Sequence, residues 1–415
     1  MKNLKSYLNK TINFYSKRIS NKSFEYSLLD NAFSNEDIIK GVEVILKKKI
    51  TMGDITKKFE YEFSKFMKVK YALMVNSGSS ANLLSAFALV NPKKKNFLKK
   101  GDEFIIQSLC WSTSLWPLVQ AGLKPKFIDV NVDNFNVDEE LFYRSLTKKT
   151  KAAMIVHVLG HCSNIKKISQ ILKSREIFLI EDTCESLGSK YKSKYLGTYG
   201  DFGTYSFYYS HQITSGEGGM IVCNDKRDFE IINSLRAHGW DRNLNKTKEN
   251  QRSFNFVNSG FNLRPLDISA AIGMNQFKRL NKFIRIRNEN KNKIIKSLKN
   301  SKAWNNQLYF LDHSKDLEPS WFGLPILINK KFLKKKKKYL KILNKNNIET
   351  RPILSGNFMN QKSVKLYNLN PKNTKYKNSQ EIEDRGFFIG LHTTPLTNDK
   401  LNILIKNLLL IDKIN

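Results

Sequence analysis

Five short stretches of this chain carry side chains whose types and spacing suit chemistry. Ser77-Gly78-Ser79-Ser80 lies between an apolar run and a helical one in "YALMVNSGSSANLLSAFAL". A helix that opens on small residues presents unpaired N–H groups and a dipole that favour an anion such as phosphate. The same serines also suit a plain N-cap. "FLIEDTCESLG" closes an apolar run on Glu181-Asp182, where an acid either caps the next turn or holds a cationic ring nitrogen. "LCWSTSLWPL" places Trp111 just past another such run, suited to stacking on a flat ring or to packing in a core. "SGFNLRPLDISAA" brings Asn262 and Arg264 to the head of a helix, as contacts for phosphate or carboxylate. In "FYYSHQITSGEGGM", His211 stands between an aromatic run and a turn with Gly216, Gly218 and Gly219. It could be a metal ligand, a proton-transferring base or a packed core residue.

The elements that must position these groups follow from the hydrophobic pattern. Short apolar runs at Tyr71–Val75, Glu103–Gln107, Lys126–Val130, Ala152–Val158, Ile177–Glu181, Gly203–Tyr208 and Gly219–Cys223 read as strands. Helical segments such as Ser80–Val90 and Ile165–Lys173 separate them. Strands joined by helices predict an α/β fold with a mostly parallel seven-stranded sheet between helices. In such sheets ligands gather at the carboxyl ends of the strands, where the stretches above fall. From Ile268 the pattern is helical, and a smaller C-terminal α/β unit containing Pro325–Ile328 as a strand follows. We expect an irregular N-terminal arm and a helix (Asn35 to Lys48) over 1–50, a large domain over 51–290 and a small domain over 291–415.

Composition narrows the function classes. The 415 residues, 40% of them hydrophobic, suit a folded protein with a sizeable core. The N-terminus has no apolar leader and the longest apolar stretches are too short to cross a bilayer, so a cytoplasmic protein is expected. Cys110, Cys162, Cys184 and Cys223 are scattered without a C-x-x-C pair, which speaks against a zinc or iron–sulfur site. The net charge of +34 invites a nucleic-acid reading. Lysine and asparagine are abundant everywhere, however, as base-composition bias would produce, and only Lys93-Lys94-Lys95 and Lys334 to Lys338 are dense. Specific nucleic-acid binding is therefore not expected.

Taken together with "GDFGTYSFYYSHQITSGEGGMIVCND", these stretches resemble the DegT/DnrJ/StrS family of sugar aminotransferases over roughly residues 35 to 400. "MGDITKKFEYEFSKFM" is similar to that family's N-terminal helix, "NSGSSANL" to its phosphate loop and "EDTCESLGSKY" to its pyridine-binding strand end. The resemblance implies a fold-type I enzyme dependent on pyridoxal 5′-phosphate (PLP) or pyridoxamine 5′-phosphate (PMP). It implies that Gly78, Ser79 and Ser206 hold the cofactor phosphate, that Trp111 stacks on the ring and that Asp182 pairs with the ring nitrogen. Glu185 would lie near the ring's hydroxyl, and Asn262 would reach the phosphate of the other subunit of a homodimer.

The ordinary family member has a Schiff-base lysine where this chain has His211. An imidazole cannot form that bond, and Lys190, Lys192, Lys194 and Lys226 do not occupy the motif position. One branch of the family carries histidine here: the 3-dehydratases of nucleotide-linked 4-keto-6-deoxyhexoses. "SLRAHGWDRN", "IETRPILSGNF" and "DRGFFIGLH" resemble that branch too. Histidine, with a reference pKa near neutrality, suits both removal of a proton and protonation of a leaving hydroxyl. The resemblance then implies 3-dehydration of a nucleotide sugar, with glutamate as amino donor and no iron–sulfur cluster. Arg264, Arg351 and His238 are the candidate contacts to nucleotide diphosphate or carboxylate. CDP, GDP and UDP remain open, as do an aminotransferase making an amino sugar and an inactive nucleotide-sugar-binding homologue. Gln212 stands where the branch often has a second histidine.

Overall fold

The computed structural model describes residues 2–18, 24–30, 33–241 and 255–414. The last two residues of "SLRAHGWDRN" lie outside them. Three helices precede the first strand: α1 (Lys2–Arg18), α2 (Asn35–Leu46) and α3 (Asp54–Met67). The expectation of an irregular segment before α2 is corrected here, because Lys2–Arg18 is helical. It rests on α2 through a Lys5–Glu36 ion pair at 2.7 Å and an Asn35–Asn13 hydrogen bond at 2.9 Å. With its largest apolar residues (Tyr7, Phe14 and Tyr15) exposed, the segment gives little helical signal in sequence. Helix α2 opens with a capping box between Ser34 and Asp37.

The strands of the main sheet are β1 (Tyr71–Val75), β2 (Glu103–Gln107), β3 (Lys124–Ile128), β4 (Thr150–Val156) and β5 (Phe178–Asp182). After a ribbon of β6 (Lys190–Tyr191) and β7 (Lys194–Tyr195) come β8 (Phe202–Ser206) and β9 (Gly219–Cys223). Their order is β1-β9-β8-β5-β4-β2-β3, with only β9 antiparallel to its neighbours. All seven expected strands are present, displaced by at most two residues at their starts and ends. Helices α4 (Gly78–Leu89), α5 (Ser112–Gln120), α6 (Glu139–Ser145), α7 (Ile165–Ser174) and α8 (Lys226–Arg236) cover the faces. Both faces are buried, since alternate residues of one strand enter different clusters: Leu73 and Val75 one, Ala72 and Met74 another.

Helices α9 (Asp267–Phe277) and α10 (Leu280–Lys299) lead to a second, antiparallel sheet of β10 (Leu308–Phe310), β12 (Gly323–Ile328) and β13 (Gly386–Gly390). Between them, β11 (Leu317–Glu318) pairs with β6 and ties the two parts together. The lysine run near residue 335 forms a turn and α11 (Lys336–Lys345), with Phe332 and Tyr339 buried and Lys334, Lys337 and Lys338 exposed. Lys94 is different. It folds inward to Asp228 at 2.7 Å, and both side chains are nearly inaccessible.

The deepest polar anchor of the sheet is Glu181, which is fully buried near the end of β5. Its carboxylate accepts from the backbone N–H groups of Gly197 (2.9 Å), Tyr199 (2.6 Å) and Gly200 (2.8 Å), and from Nε2 of buried His157 (2.9 Å). Gly203 lies against the Gly197 carbonyl, where a Cβ would come within 1.9 Å of the oxygen. The glycines before β8 thus wrap a carboxylate, which accounts for their spacing without a nucleotide. Hydrogen bonds to a charged acceptor contribute about 1.5–3 kcal/mol each. Glu181→Gln, which turns an N–H₂ towards these donors, should lower unfolding stability by ~3 kcal/mol. Chemical denaturation checks this, and a loss below about 1 kcal/mol would refute the anchor.

Candidate active site

The carboxyl ends of β1, β5 and β8 converge. Ser77 caps α4 by accepting from the Ser80 N–H at 3.1 Å, so the N-cap reading holds. The N–H groups of Gly78 and Ser79 open the helix, where no preceding turn supplies carbonyls to them. A Cβ on Gly78 would lie 2.6 Å from Cβ of Ser206 and 3.0 Å from Sγ of Cys184. Glycine is therefore required for the phosphate-loop stretch, the end of β8 and the turn after β5 to meet. The Ser77 cap is compatible with an anion at the Gly78 and Ser79 N–H groups.

Asp182 is almost wholly buried. One carboxylate oxygen accepts from Nδ2 of Asn82 at 2.8 Å and Oγ of Ser114 at 2.7 Å, and the other from the Cys184 N–H at 3.1 Å. Asn82 is fixed in turn by the Thr204 hydroxyl at 2.6 Å. These partners are all neutral, which suits a carboxylate whose counter-charge is a bound cation. Asn82 and Ser114 were not singled out in sequence. Their position one turn into α4 and α5, facing the acid, is the signal that could have found them. Trp111 is the N-cap of α5, 53% exposed, on the element that brings Ser114 to Asp182. It is not a core residue.

Glu185 accepts from the Leu159 N–H at 2.9 Å. Burial, reinforced by the Asp182 charge and opposed by that hydrogen bond, pushes its carboxyl up to about 8. Gln212 donates from Nε2 to the Glu185 carbonyl at 2.5 Å and so joins the His211 loop to the turn after β5.

His211 is partly buried, edge-on to Phe322 (5.1 Å, 82°) and to Tyr208 (6.0 Å, 87°). Its Nδ1 is sealed from solvent without a hydrogen-bond partner, whereas Nε2 is not sealed in this way. Burial, then the charge of Arg287, lowers its pKa to about 3, so the ring is neutral at pH 7. No three His, Cys, Asp or Glu side chains gather as metal ligands among the described residues. No lysine replaces it from the candidates in sequence. Lys190 pairs with Glu318, Lys192 with Asp316 and Lys226 with Glu230, while Lys194 lies over the Tyr199 ring.

The remaining candidates divide. His238 and Arg264 meet, the guanidinium donating to Nε2 at 2.9 Å, and both lie beside Trp240. His238 has φ +59°, a left-handed conformation, next to Gly239 at φ +78°. Asn262 is exposed, bridged to Ala237, while the next carbonyl, of Leu263, accepts from the Asn76 N–H at 3.2 Å. It therefore lies near the mouth of the β1 loop without touching the residues around Asp182. Arg351 is brought to none of these groups. It pairs with Glu349 at 2.9 Å beside β13.

The Gly78 cradle, the buried anion of Asp182 and the exposed face of Trp111 fit the phosphate, ring nitrogen and ring face of a pyridoxal cofactor. Comparison with known proteins agrees. The chain is 38% identical over 371 residues to the GDP-4-keto-6-deoxy-D-mannose 3-dehydratase of Escherichia coli O55:H7, covering 87% of this chain and 94% of that protein. The solved structure of the E. coli enzyme with bound hydrated PLP superposes with a TM-score of 0.85 at 36% identity, covering 93% of this chain and 100% of that one. A structure of GDP-4-keto-6-deoxymannose-3-dehydratase with a trapped PLP-glutamate geminal diamine has a TM-score of 0.84 at 35% identity, over 92% and 100% of the two chains. The model of the DegT/DnrJ/EryC1/StrS aminotransferases matches residues 33–408. On this match, and on a sheet whose strand ends carry the motifs in the family's order, the chain belongs to the DegT/DnrJ/EryC1/StrS aminotransferase family.

Proposed function

We propose that this protein catalyses the PLP/PMP-dependent 3-dehydration of a nucleotide-linked 4-keto-6-deoxyhexose, with glutamate as amino donor, in the biosynthesis of a surface-polysaccharide deoxysugar. What supports this reading is His211, held neutral, at the position where the family resemblance puts the Schiff-base lysine, in a chain whose phosphate-loop and Asp182 stretches resemble the family's. Likeness to the GDP-sugar enzymes supports GDP as the nucleotide.

When bound, the cofactor supplies an amine for the sugar ketone and a protonated ring that takes up electrons. Gly78, Ser79 and Ser206 would hold its phosphate, Asp182 its ring nitrogen and Trp111 its face. Because Asn82 and Ser114 fix the Asp182 carboxylate, that charge stays aimed at one point without reorganisation. Glu185 keeps its proton at neutral pH and can donate it in a hydrogen bond to the ring hydroxyl oxygen. His211 would take a proton at Nε2, the nitrogen left unsealed, from carbon of the cofactor-bound substrate and give it to the departing C3 hydroxyl. That hydroxyl would leave as water while the electrons of the broken C–H bond replace those of the C–O bond. With no lysine amine at this position, the cofactor is not recaptured by the chain, which favours dehydration over amino transfer. The Arg264–His238 pair offers a guanidinium and a flanking aromatic to the nucleotide.

A homodimer is part of this reading. Ile45, Leu46, Ile50 and Leu266 are exposed, and the 50–51 segment is joined to 266–267 by backbone hydrogen bonds, so an apolar strip lies on one surface. A partner covering it would bring Asn262 towards a second cofactor. No helix among the described residues is long and apolar enough to cross a membrane, in keeping with a cytoplasmic enzyme.

The first test is the absorption spectrum of the protein with PLP. Glutamate should convert the aldehyde band to the amine band, and borohydride added beforehand should leave no cofactor on the chain. Covalent fixation by borohydride would assign a lysine and favour the aminotransferase. No PLP signal at all would favour the inactive homologue. His211→Lys should gain a borohydride-reducible bond to PLP and lose dehydratase turnover, and an unchanged rate in that variant would remove His211 as the base. Glu185 gives a pH prediction. Its folded pKa of about 8 exceeds the ordinary 4.5, so between these values the folded state binds more protons than the unfolded one. Stability then falls as pH rises through that window. Glu185→Gln should remove this slope in urea unfolding of the cofactor-free protein, and parallel curves for both proteins would refute it.

A further inference from the structure

Arg287, on α10, is one of the largest fully buried side chains, with 1% of its surface exposed. Neither the family motifs nor the cofactor contacts account for it. Arg287 and His211 line one small pocket, together with Leu29, Gln276, Phe283 and Thr393. The guanidinium donates from one terminal nitrogen to the Trp321 carbonyl at 3.1 Å, and its Nε is buried without a partner. Trp321 precedes Phe322, the ring that packs edge-on against His211. Two unpartnered buried nitrogens, Nδ1 of His211 and Nε of Arg287, therefore belong to the same pocket.

We propose that Arg287 is the positioning residue of His211: it fixes the wall against which the imidazole packs and keeps that imidazole in its neutral, proton-accepting form. This deepens the function proposed above and rests on it for the role of His211. A buried guanidinium is always charged, and no carboxylate pairs with Arg287 among the described residues. The acid that acts on it, Asp30, is occupied by the Thr393 and Thr394 N–H and hydroxyl groups at 2.8–3.2 Å. Protonating His211 would set a second cation in the same pocket as the buried guanidinium, where like charges repel. The other titratable groups around the pocket do not supply a counter-charge. Tyr208 and Tyr209 are phenols, Glu185 holds its proton at neutral pH, and burial holds His392 below the usual imidazole range. Burial and then the Arg287 charge lower the His211 pKa, against a smaller raising effect of the Tyr208 backbone.

The test is NMR titration of the histidine side chains in the full-length protein without substrate, with His211→Asn to assign the signal. In Arg287→Met the protonation midpoint of His211 should rise by about one unit or more, while Arg287→Lys, which keeps the charge, should stay close to wild type. Arg287→Gln, which removes the charge but keeps an N–H donor for the Trp321 carbonyl, should raise the midpoint likewise, and it keeps the proposal testable if Arg287→Met does not fold. Identical titrations in wild type and Arg287→Met, or in wild type and Arg287→Gln where Arg287→Met does not fold, would overturn the proposal. Because this readout involves no turnover, a midpoint that moves in a protein lacking dehydratase activity would sink the function and leave the Arg287–His211 coupling standing.

Discussion

Two consecutive buried acids at the end of the central strand β5 hold this structure together. Strand geometry turns Glu181 and Asp182 to opposite faces. Glu181 receives three backbone N–H groups and His157, which fastens the 197–200 loop beneath the sheet. Asp182 receives Asn82 and Ser114, which fastens α4 and α5 above it. A slip of one residue along β5 would exchange the two faces and leave both carboxylates without donors. The same strand therefore fixes the register of the fold and the aim of the charge in the site.

Close backbone contacts do the rest of the positioning. Gly78 admits Ser206 and Cys184 against the start of α4, and a Cβ on Gly219 would lie 2.4 Å from the Ser77 carbonyl. These contacts pull β1, β8 and β9 towards one point at the head of α4. The turn after β8 carries His211, and the adjacent Gln212 ties that turn to the Glu185 backbone just past β5. His211 itself is on a loop, and Phe322, with Arg287 bonded to the preceding carbonyl, forms a buried wall beside it.

Charge is organised locally against the excess of lysine. The net +34 is a property of the surface, where Lys334, Lys337 and Lys338 stand in water. Inside, some ionisable groups pair with an opposite charge, as in Lys94 with Asp228 or Arg236 with Glu60 at 2.6 Å. Asp182, Lys291 and Arg287 are buried without such a pair among the described residues, and Arg287 shares a pocket with His211. An unmatched buried cation next to a base is unfavourable for the fold and favourable for a base that must stay neutral.

Much of the protein was legible from its sequence. Strand runs rich in Val, Ile and Phe alternate with helices, and burial of both sheet faces makes those runs continuous, so all seven main strands could be read. Ser77–Ser80, Asp182, Trp111 and His211 were legible because strand ends and helix starts dictate where polar groups gather. Helix α1 was not, since its largest apolar side chains face solvent and leave no core-facing stripe to read. The partners of Asp182, the meeting of Arg264 with His238, the separation of Arg351 from them and the burial of Arg287 were set by tertiary structure alone. Each joins residues far apart in the chain, and neither propensity nor local spacing carries information about which distant side chain fills the space beside a given one. The sequence by itself determined which chemistry is available at residue 211, and the packing of α10 and residues 321–322 around it decided the state in which that imidazole is held.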